Sequence, residues 1–210
     1  MDQFVCSLAG CDEGLIIGSA HGAYFFSYAT GNFQPVSDKI TSTVVHVMVD
    51  GEGNAWLSTE GQGLFRYNLA NHECMPYPVK PLQGSVAATL VDVNNQVWAL
   101  SFKRNGGLAR LNKSTDTFEP VQLHGDATHL SGMAMMSLQD GSIIVGTWEQ
   151  GLYQVMPDGT TKMLMSATLT NVLKHIHKLY NDRGRFASSE VTTDWWSITC
   201  KTIPGACSLR

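Results

Sequence analysis

A glycine followed by a small or apolar residue recurs along this chain at nearly constant spacing. The intervals between successive glycines are 41, 44 and 44 residues, for the steps Gly22-Ala23, Gly63-Leu64, Gly107-Leu108 and Gly151-Leu152. Self-similarity at a period of 40 to 50 residues is typical of repeat architectures. The chain is therefore expected to contain several copies of one supersecondary unit.

Each copy reads as four short strands that are separated by turns rich in Asp, Asn and Gly. The segments are VVHVMVD, VAATLVD and MAMMSLQD for the first strand; LIIGS, AWLST, VWALS and IIVGT for the second; AYFFSY, LFRYN, LARLN and LYQVM for the third; and NFQPV, CMPYPV, TFEPV and TKMLM for the fourth. One four-stranded sheet cannot bury both of its faces, but stacked copies can. The predicted fold class is all-β, a partial β-propeller of about four to five four-stranded antiparallel blades. The predicted repeats cover residues 10–39, 40–81, 82–126, 127–167 and 168–187 of an incomplete propeller domain, 1–187.

The second copy carries the most specific sequence motif, which consists of Asp50, then Gly53-Asn54-Ala55-Trp56-Leu57-Ser58-Thr59, then Gly63-Leu64-Phe65-Arg66-Tyr67-Asn68. This segment resembles the two-component regulator propeller repeat. The copy at 138–153 has Ile144 in place of the tryptophan, and the copy at 92–111 keeps Trp98 but has Leu100-Ser101 in place of the Gly-Thr step. The resemblance covers about residues 12 to 185, and the markers of WD40 and kelch repeats are missing.

The resemblance implies a sensor domain. Such propellers form the periplasmic part of membrane-spanning, often hybrid, histidine kinases in Bacteroidetes-type bacteria, where they commonly respond to oligosaccharides. The sequence contains no counterpart of the kinase domains, so signal transduction without enzymatic activity is the expected role. Two alternatives stay open. One is a streptogramin-lyase-like propeller enzyme, which would need a His and acid set such as His21 with Glu60; the other is a passive protein-interaction propeller.

The loops before each Gly-Leu step occupy equivalent places, and equivalent loops of a propeller gather on one face. They predict a ligand-binding rim with a possible carbohydrate ligand, made of His21, Glu60, Gln62, Lys103, Arg104, Trp148, Glu149 and Gln150. Trp148 lies among polar residues, which suits stacking on a sugar ring, although packing on the next blade is an equal alternative. Trp56 and Trp98 are expected to pack between blades.

Other classes of function find little support. A net charge of -4 provides no basic surface for nucleic acid, and no apolar run approaches the roughly 20 residues that cross a bilayer. The first residues do not form a signal peptide, so the chain as written would remain cytoplasmic although its presumed parent is periplasmic. His175 and His177 lack a third ligand, no cysteine spacing matches a zinc site, and no nucleotide or hydrolase motif occurs. We expect no metal, cofactor or catalytic residues.

Residues 188–210 repeat nothing. Gly184 predicts a Gly-Leu step near residue 194, but Thr193-Asp194-Trp195 stands there. A shifted reading frame takes the third base of one codon and the first two bases of the next codon. In that frame, the codons of Asp194 and Trp195 must together encode leucine. The tail is therefore expected to be frameshifted sequence that ends a fragment, and Trp195, Trp196, Cys200 and Cys207 carry no functional weight. An incomplete ring of blades should also self-associate, or contact another propeller, through its open blade edges.

Overall fold

The computed structural model describes residues 4–82, 86–103, 106–166, 176–182, 185–191 and 196–200. Strands dominate these residues, and the only helical element among them is a single 3-10 turn, Lys80–Leu82. None of the described segments forms a helix long and apolar enough to cross a membrane. The all-β prediction is confirmed.

The strands form five successive sheets. The first four blades contain β1 Val5–Cys11, β2 Gly14–Ser19, β3 Gly22–Ser27 and β4 Phe33–Pro35; β5 Val44–Val49, β6 Asn54–Thr59, β7 Gly63–Asn68 and β8 Cys74–Tyr77; β9 Ala88–Val91, β10 Val97–Leu100, β11 Leu108–Asn112 and β12 Thr117–Pro120; and β14 Gly132–Ser137, β15 Ile143–Thr147, β16 Gly151–Val155 and β17 Thr160–Ser166. A short strand, β13 His124–Gly125, pairs in parallel with β17. The fifth sheet contains β18 Ile176–Asp182, β19 Arg185–Val191 and β20 Trp196–Cys200.

The predicted four-stranded antiparallel blades are confirmed, with two differences in extent. The first blade gains β1, which begins at Val5 and so precedes the predicted start of the repeat at residue 10. In the fifth sheet, β19 continues past residue 187 and pairs with β20. The encoding DNA is what tests the frameshift, so that assignment stays a prediction.

The glycines that mark the repeat have a backbone reason to recur. Gly22, Gly63, Gly107 and Gly151 have φ angles of 99°, 83°, 82° and 101°. This left-handed region strains residues that have a Cβ atom. Each glycine begins or immediately precedes the third strand of its blade, at the end of the loop from the second strand. The spacing in the sequence is therefore the spacing of one obligatory turn conformation.

The first strand of each blade lies innermost. In each of the four complete blades the strands are ordered first, second, third and fourth across the sheet. The first strands also contact one another in sequence, because β1 contacts β5, β5 contacts β9, β9 contacts β14, and β14 contacts β18. The five sheets are therefore arranged around a common axis that the first strands line.

Apolar side chains fill the spaces between blades. Ile16 and Phe25 of the first blade share a buried cluster with Leu57 and Phe65 of the second. Three further clusters follow the same plan, with Trp56 and Val97 between the second and third blades, Leu100 and Ile143 between the third and fourth, and Ile144 and Leu179 between the fourth and fifth. The core of the molecule is thus a series of blade interfaces.

A buried carboxylate–indole pair recurs in two blades. The indole Nε1 of Trp56 donates to Asp50 Oδ2 at 2.8 Å, and Trp98 Nε1 donates to Asp92 Oδ2 at 2.9 Å. The other oxygen, Oδ1, of Asp50 accepts the backbone N–H groups of Glu52 and Asn54. This pair links the hairpin turn to the second strand. It therefore explains why Asp and Trp recur together in the repeat, which apolar packing alone does not.

In the fourth blade both members of the pair are replaced. Leu138 and Ile144 occupy the positions of the aspartate and the tryptophan, and both pack in the apolar cluster between the fourth and fifth blades. Loss of one partner would leave a buried polar group unsatisfied, whereas loss of both can be nearly neutral. The repeat therefore varies at these two positions together.

A second polar contact joins the outer parts of neighbouring blades. Arg66 Nη1 lies 2.9 Å from Asp116 Oδ1, and the Tyr77 hydroxyl donates to the same carboxylate at 2.8 Å. The hydrogen bond from Tyr77 lowers the pKa of Asp116, and Arg66 lowers it further. Burial raises the pKa of Tyr77 well above its usual value, so the phenol stays protonated and able to donate. Since Arg66 and Tyr77 belong to the second blade and Asp116 to the third, this cluster holds the two together.

The paired substitution in the fourth blade predicts non-additive effects on stability. Asp50→Leu and Trp56→Phe should each lower the free energy of unfolding, because each leaves one polar partner unsatisfied. The double variant should be more stable than the sum of the two losses by about 1 kcal/mol, a typical coupling energy. Denaturant unfolding of the four proteins measures it. The control combines Trp56→Phe with Asp140→Leu, a substitution in another blade, and its two losses of unfolding free energy should add. If the losses from Asp50→Leu and Trp56→Phe also simply add, the proposed coupling is contradicted.

Candidate functional site

A β-bulge lies near the start of the first strand in several blades. The pairing register shifts between Val44 and His46 and between Gly132 and Ala134, which leaves Val45 and Met133 as the extra residues. The same shift in the first and fifth blades places Cys6 and His177 at this register position. A bulge re-aims the side chain that it carries. In this fold it turns the side chains of Val45 and Met133 into a pocket beside the axis.

Another equivalent set is formed by the loop residue that follows a Ser or Thr at the end of the second strand or directly after it: Ala20, Glu60, Phe102 and Trp148. Glu60 donates its backbone N–H to the Thr43 carbonyl at 2.8 Å, and Trp148 donates to Ser131 at the same distance. Ala20 makes the corresponding bond to Phe4 at 3.1 Å. These bonds fix the loops of Ala20, Glu60 and Trp148 against the chain that enters the innermost strand of the same blade. The side chain at this position is therefore held close to the axis.

The two equivalent sets meet in one pocket of about 410 Å³. Its lining contains Val45, Thr59, Glu60, Val86, Ala87, Phe102, Met133 and Trp148. Phe102 and Trp148 remain 49% and 42% exposed, so their rings are accessible to a ligand. The Thr59 hydroxyl donates to the Gly63 carbonyl at 2.6 Å. The pocket therefore offers two aromatic rings, an apolar floor and one exposed carboxylate, that of Glu60.

Of the seven predicted rim residues that the structure describes, Glu60 and Trp148 line this pocket. His21, Lys103 and Glu149 are exposed on their loops outside the lining, and Arg104 lies outside the described residues. Sequence reasoning missed Phe102. An alignment of the loops from the end of the second strand would have found it, because Phe102 follows Ser101 as Glu60 follows Thr59 and Trp148 follows Thr147.

The two predicted glutamines have a different role from the other rim residues. Gln62 Oε1 accepts the backbone N–H groups of Thr41 and Ser42, both at 2.9 Å, and Gln62 Nε2 donates to the Lys39 carbonyl at 3.0 Å. Gln150 Oε1 likewise accepts the Ser131 N–H at 3.1 Å. Each glutamine amide is thus hydrogen-bonded to the connector that enters its own blade. They hold the rim in place, and their polar atoms are occupied.

The loops that carry Glu60 and Trp148 share one backbone form. Gly61 has a φ of 95° and the matching residue, Glu149, has a φ of 66°. Positive φ is uncommon for a glutamate. Here it occurs in a three-residue loop, 60–62 or 148–150, that is closed by a hydrogen bond from the buried hydroxyl of Thr59 or Thr147 to the carbonyl of the glycine that begins the third strand. This strict geometry presents Glu60 and Trp148 to the pocket in the same way.

Over the part of the chain that the structure describes, no group of three or more His, Cys, Asp and Glu side chains is placed to hold a metal ion. Two histidines, His175 and His177, alternate in the sequence as metal ligands could. His175 lies outside the described residues, and only the strand position of His177 is described.

Comparison with known proteins supports the fold. No protein-family model and no curated protein sequence matches the chain. Among solved structures, it is similar to the extracellular domain of the putative one component system BT4673 from B. thetaiotaomicron, with a TM-score of 0.69 and 18% identity over 93% of this chain and 27% of that one. The extracellular domain of the putative hybrid two component system BT3049 from the same organism gives 0.64 and 16%, over 85% of this chain and 24% of that one. The tricorn protease gives 0.65 and 14%, over 98% of this chain and 22% of that one.

These similarities confirm the β-propeller prediction. At such low identities they establish the fold alone, although the presence of extracellular sensor domains among the neighbours agrees with the resemblance found in the repeat. The chain spans about a quarter of the length of these structures.

The hydrogen bonds of Gln62 predict that removing its amide will loosen the connector segment before β5. Gln62→Ala should remove the bonds to Lys39, Thr41 and Ser42 and lower the free energy of unfolding by about 1–2 kcal/mol. Amide hydrogen exchange should become faster at Thr41 and Ser42. Glu149→Gly is the matched control on the equivalent loop, and it should not destabilise the chain because glycine accepts positive φ. Unchanged exchange at Thr41 and Ser42 in Gln62→Ala would show that the amide does not hold the connector.

Proposed function

We propose that this chain is the ligand-binding part of an extracytoplasmic two-component sensor and that its ligand is an oligosaccharide. The observation that carries the proposal is the convergence of Glu60, Phe102 and Trp148 from equivalent positions of three blades on one pocket. The extracellular sensor domains among the structural neighbours support the sensory role. A periplasmic location of the parent protein follows from that role.

The chemistry of the pocket suits a sugar. Aromatic faces attract the C–H face of a pyranose ring, while the ring hydroxyl groups need polar partners. Phe102 and Trp148 offer the faces, and the Glu60 carboxylate offers acceptors that form strong charge-assisted hydrogen bonds with hydroxyl donors. A volume of about 410 Å³ falls within the range of small-molecule sites. One or two sugar rings, with the rest of an oligosaccharide outside, would use each of these groups.

Binding without turnover accounts for this lining better than hydrolysis. Glycoside hydrolysis usually needs two carboxyl groups on opposite sides of the scissile bond, and among the described residues one carboxylate, that of Glu60, lines this pocket. The lyase alternative would require His21 beside Glu60, but His21 lies outside the lining. The arrangement therefore favours recognition over chemistry.

Calorimetric titration of the full 210-residue chain with a panel of oligosaccharides tests this function. Trp148→Ala should weaken the binding of the sugar that wild type selects by about tenfold or more, since it removes a central aromatic contact. Glu60→Gln should weaken it less, because an amide still accepts one hydrogen bond. Tyr28→Ala, an exposed aromatic position outside the pocket, is the control and should bind as wild type does.

Two results would contradict the proposal. The first is an absence of binding to every oligosaccharide in the panel by a wild-type chain that unfolds cooperatively. The second is sugar binding that Trp148→Ala leaves at the wild-type affinity, which would place the ligand elsewhere.

A further inference from the structure

The connector that enters the fourth blade lies between the two loops that carry the aromatic residues of the pocket. Its residue Ser131 uses all three of its polar groups there. The Ser131 hydroxyl donates to the Phe102 carbonyl of the third blade at 2.6 Å. The Ser131 carbonyl accepts the Trp148 backbone N–H of the fourth blade at 2.8 Å, and the Ser131 N–H donates to Gln150 Oε1 at 3.1 Å. One residue therefore contacts both aromatic positions of the pocket.

The residues on either side of Ser131 bond to the same loop of the third blade. Gly132 donates its backbone N–H to the Ser101 carbonyl at 2.9 Å. The Leu130 carbonyl accepts the backbone N–H of Gly107 at 3.1 Å. The connector is therefore anchored to the third blade on both sides of the hydroxyl contact.

The same arrangement recurs between the first two blades. The corresponding residue of the second blade is Thr43, whose carbonyl accepts the Glu60 backbone N–H at 2.8 Å and whose hydroxyl donates to the Ala20 carbonyl at 3.4 Å. Ser85 stands at this position of the third copy in the sequence and lies outside the described residues. A hydroxyl side chain at this position thus links the loops of neighbouring blades, and the bond to Phe102 is the shorter of the two.

We propose that Ser131 is a positioning residue of the pocket, which sets the place of Phe102 relative to Trp148 and thereby governs ligand affinity. The role in affinity rests on the proposed function, whereas the link between the loops does not. A ligand that contacts both rings binds more tightly when they are already held at the required spacing, because ordering a loop on binding costs free energy. Side chains that touch a ligand need such support from the residues behind them. The Ser131 hydroxyl supplies it across the boundary between two blades.

Ser131→Ala tests this role, because it removes the hydroxyl and keeps the backbone groups that bond to the fourth blade. In calorimetric titration with the oligosaccharide that wild type selects, the affinity should fall about 3- to 10-fold, the effect of one lost hydrogen bond. Ser131→Thr restores a hydroxyl, as Thr43 provides one in the second blade, and should bind as wild type does. The matched control is Ser142→Ala, which removes a hydroxyl bond of the same 2.6 Å length, to Asp140, at the hairpin turn of the fourth blade. It should keep the wild-type affinity.

A measurement without sugar separates this proposal from the proposed function. The Phe102 carbonyl shares a planar peptide group with the Lys103 N–H, so the ¹⁵N relaxation of Lys103 reports whether that group is held in place. The order parameter of the Lys103 N–H should be near ~0.85, the value of rigid backbone, in wild type, Ser131→Thr and Ser142→Ala. In Ser131→Ala it should be lower.

Three results would overturn the proposal. The first is an order parameter of Lys103 that Ser131→Ala leaves unchanged, and the second is a lowered order parameter with wild-type sugar affinity. The third is an equal loss of affinity in Ser131→Ala and Ser142→Ala, which would show a general effect of destabilising the blade. A wild type that binds no oligosaccharide contradicts the proposed function and with it the role of Ser131 in affinity, while the Lys103 signal still decides whether Ser131 links the loops.

Discussion

The burial of blade faces against neighbouring blades is the constraint on which the rest of this structure depends. A four-stranded sheet with apolar residues on each side is stabilised when a neighbour covers those faces. Ile16, Trp56, Leu100 and Ile144 meet this requirement in four successive interfaces. Stacking in this way brings the innermost strands to a common axis. Because the second strand of each blade pairs antiparallel with the innermost first strand, the start of the first strand and the end of the second strand both lie near that axis.

The candidate site is a consequence of this stacking. Most of the pocket-lining side chains come from two positions of the repeat, the bulge in the first strand and the loop residue that follows the Ser or Thr at the end of the second strand, and Thr59 and Val86 complete the lining. The backbone N–H groups of Glu60 and Trp148 form hydrogen bonds that do not depend on the side chain. The repeat can therefore present different residues to the pocket, as Glu60 and Trp148 show, without changing the fold.

Much of the fold could be predicted from the sequence, because the obligatory turn conformations at Gly22, Gly63, Gly107 and Gly151 leave a periodic mark. The site could be predicted only in part. The loops predict Glu60 and Trp148, which line the pocket, but they do not reveal that the amides of Gln62 and Gln150 are hydrogen-bonded to connector segments. The connector segments to which their amides bond lie about 20 residues away in sequence. The bulge at Val45 was also missed, since one extra residue inside the apolar run VVHVMV leaves no pattern.

The tryptophan side chains allow the most direct measurement of the pocket's role, because each indole N–H gives its own nuclear magnetic resonance signal. Titration of the ¹⁵N-labelled chain with the selected oligosaccharide should shift the indole signal of Trp148. The signals of Trp56 and Trp98, which are buried and bonded to Asp50 and Asp92, should stay in place. A sugar that shifts the Trp56 or Trp98 signals and leaves that of Trp148 unchanged would contradict a binding site at the axial pocket.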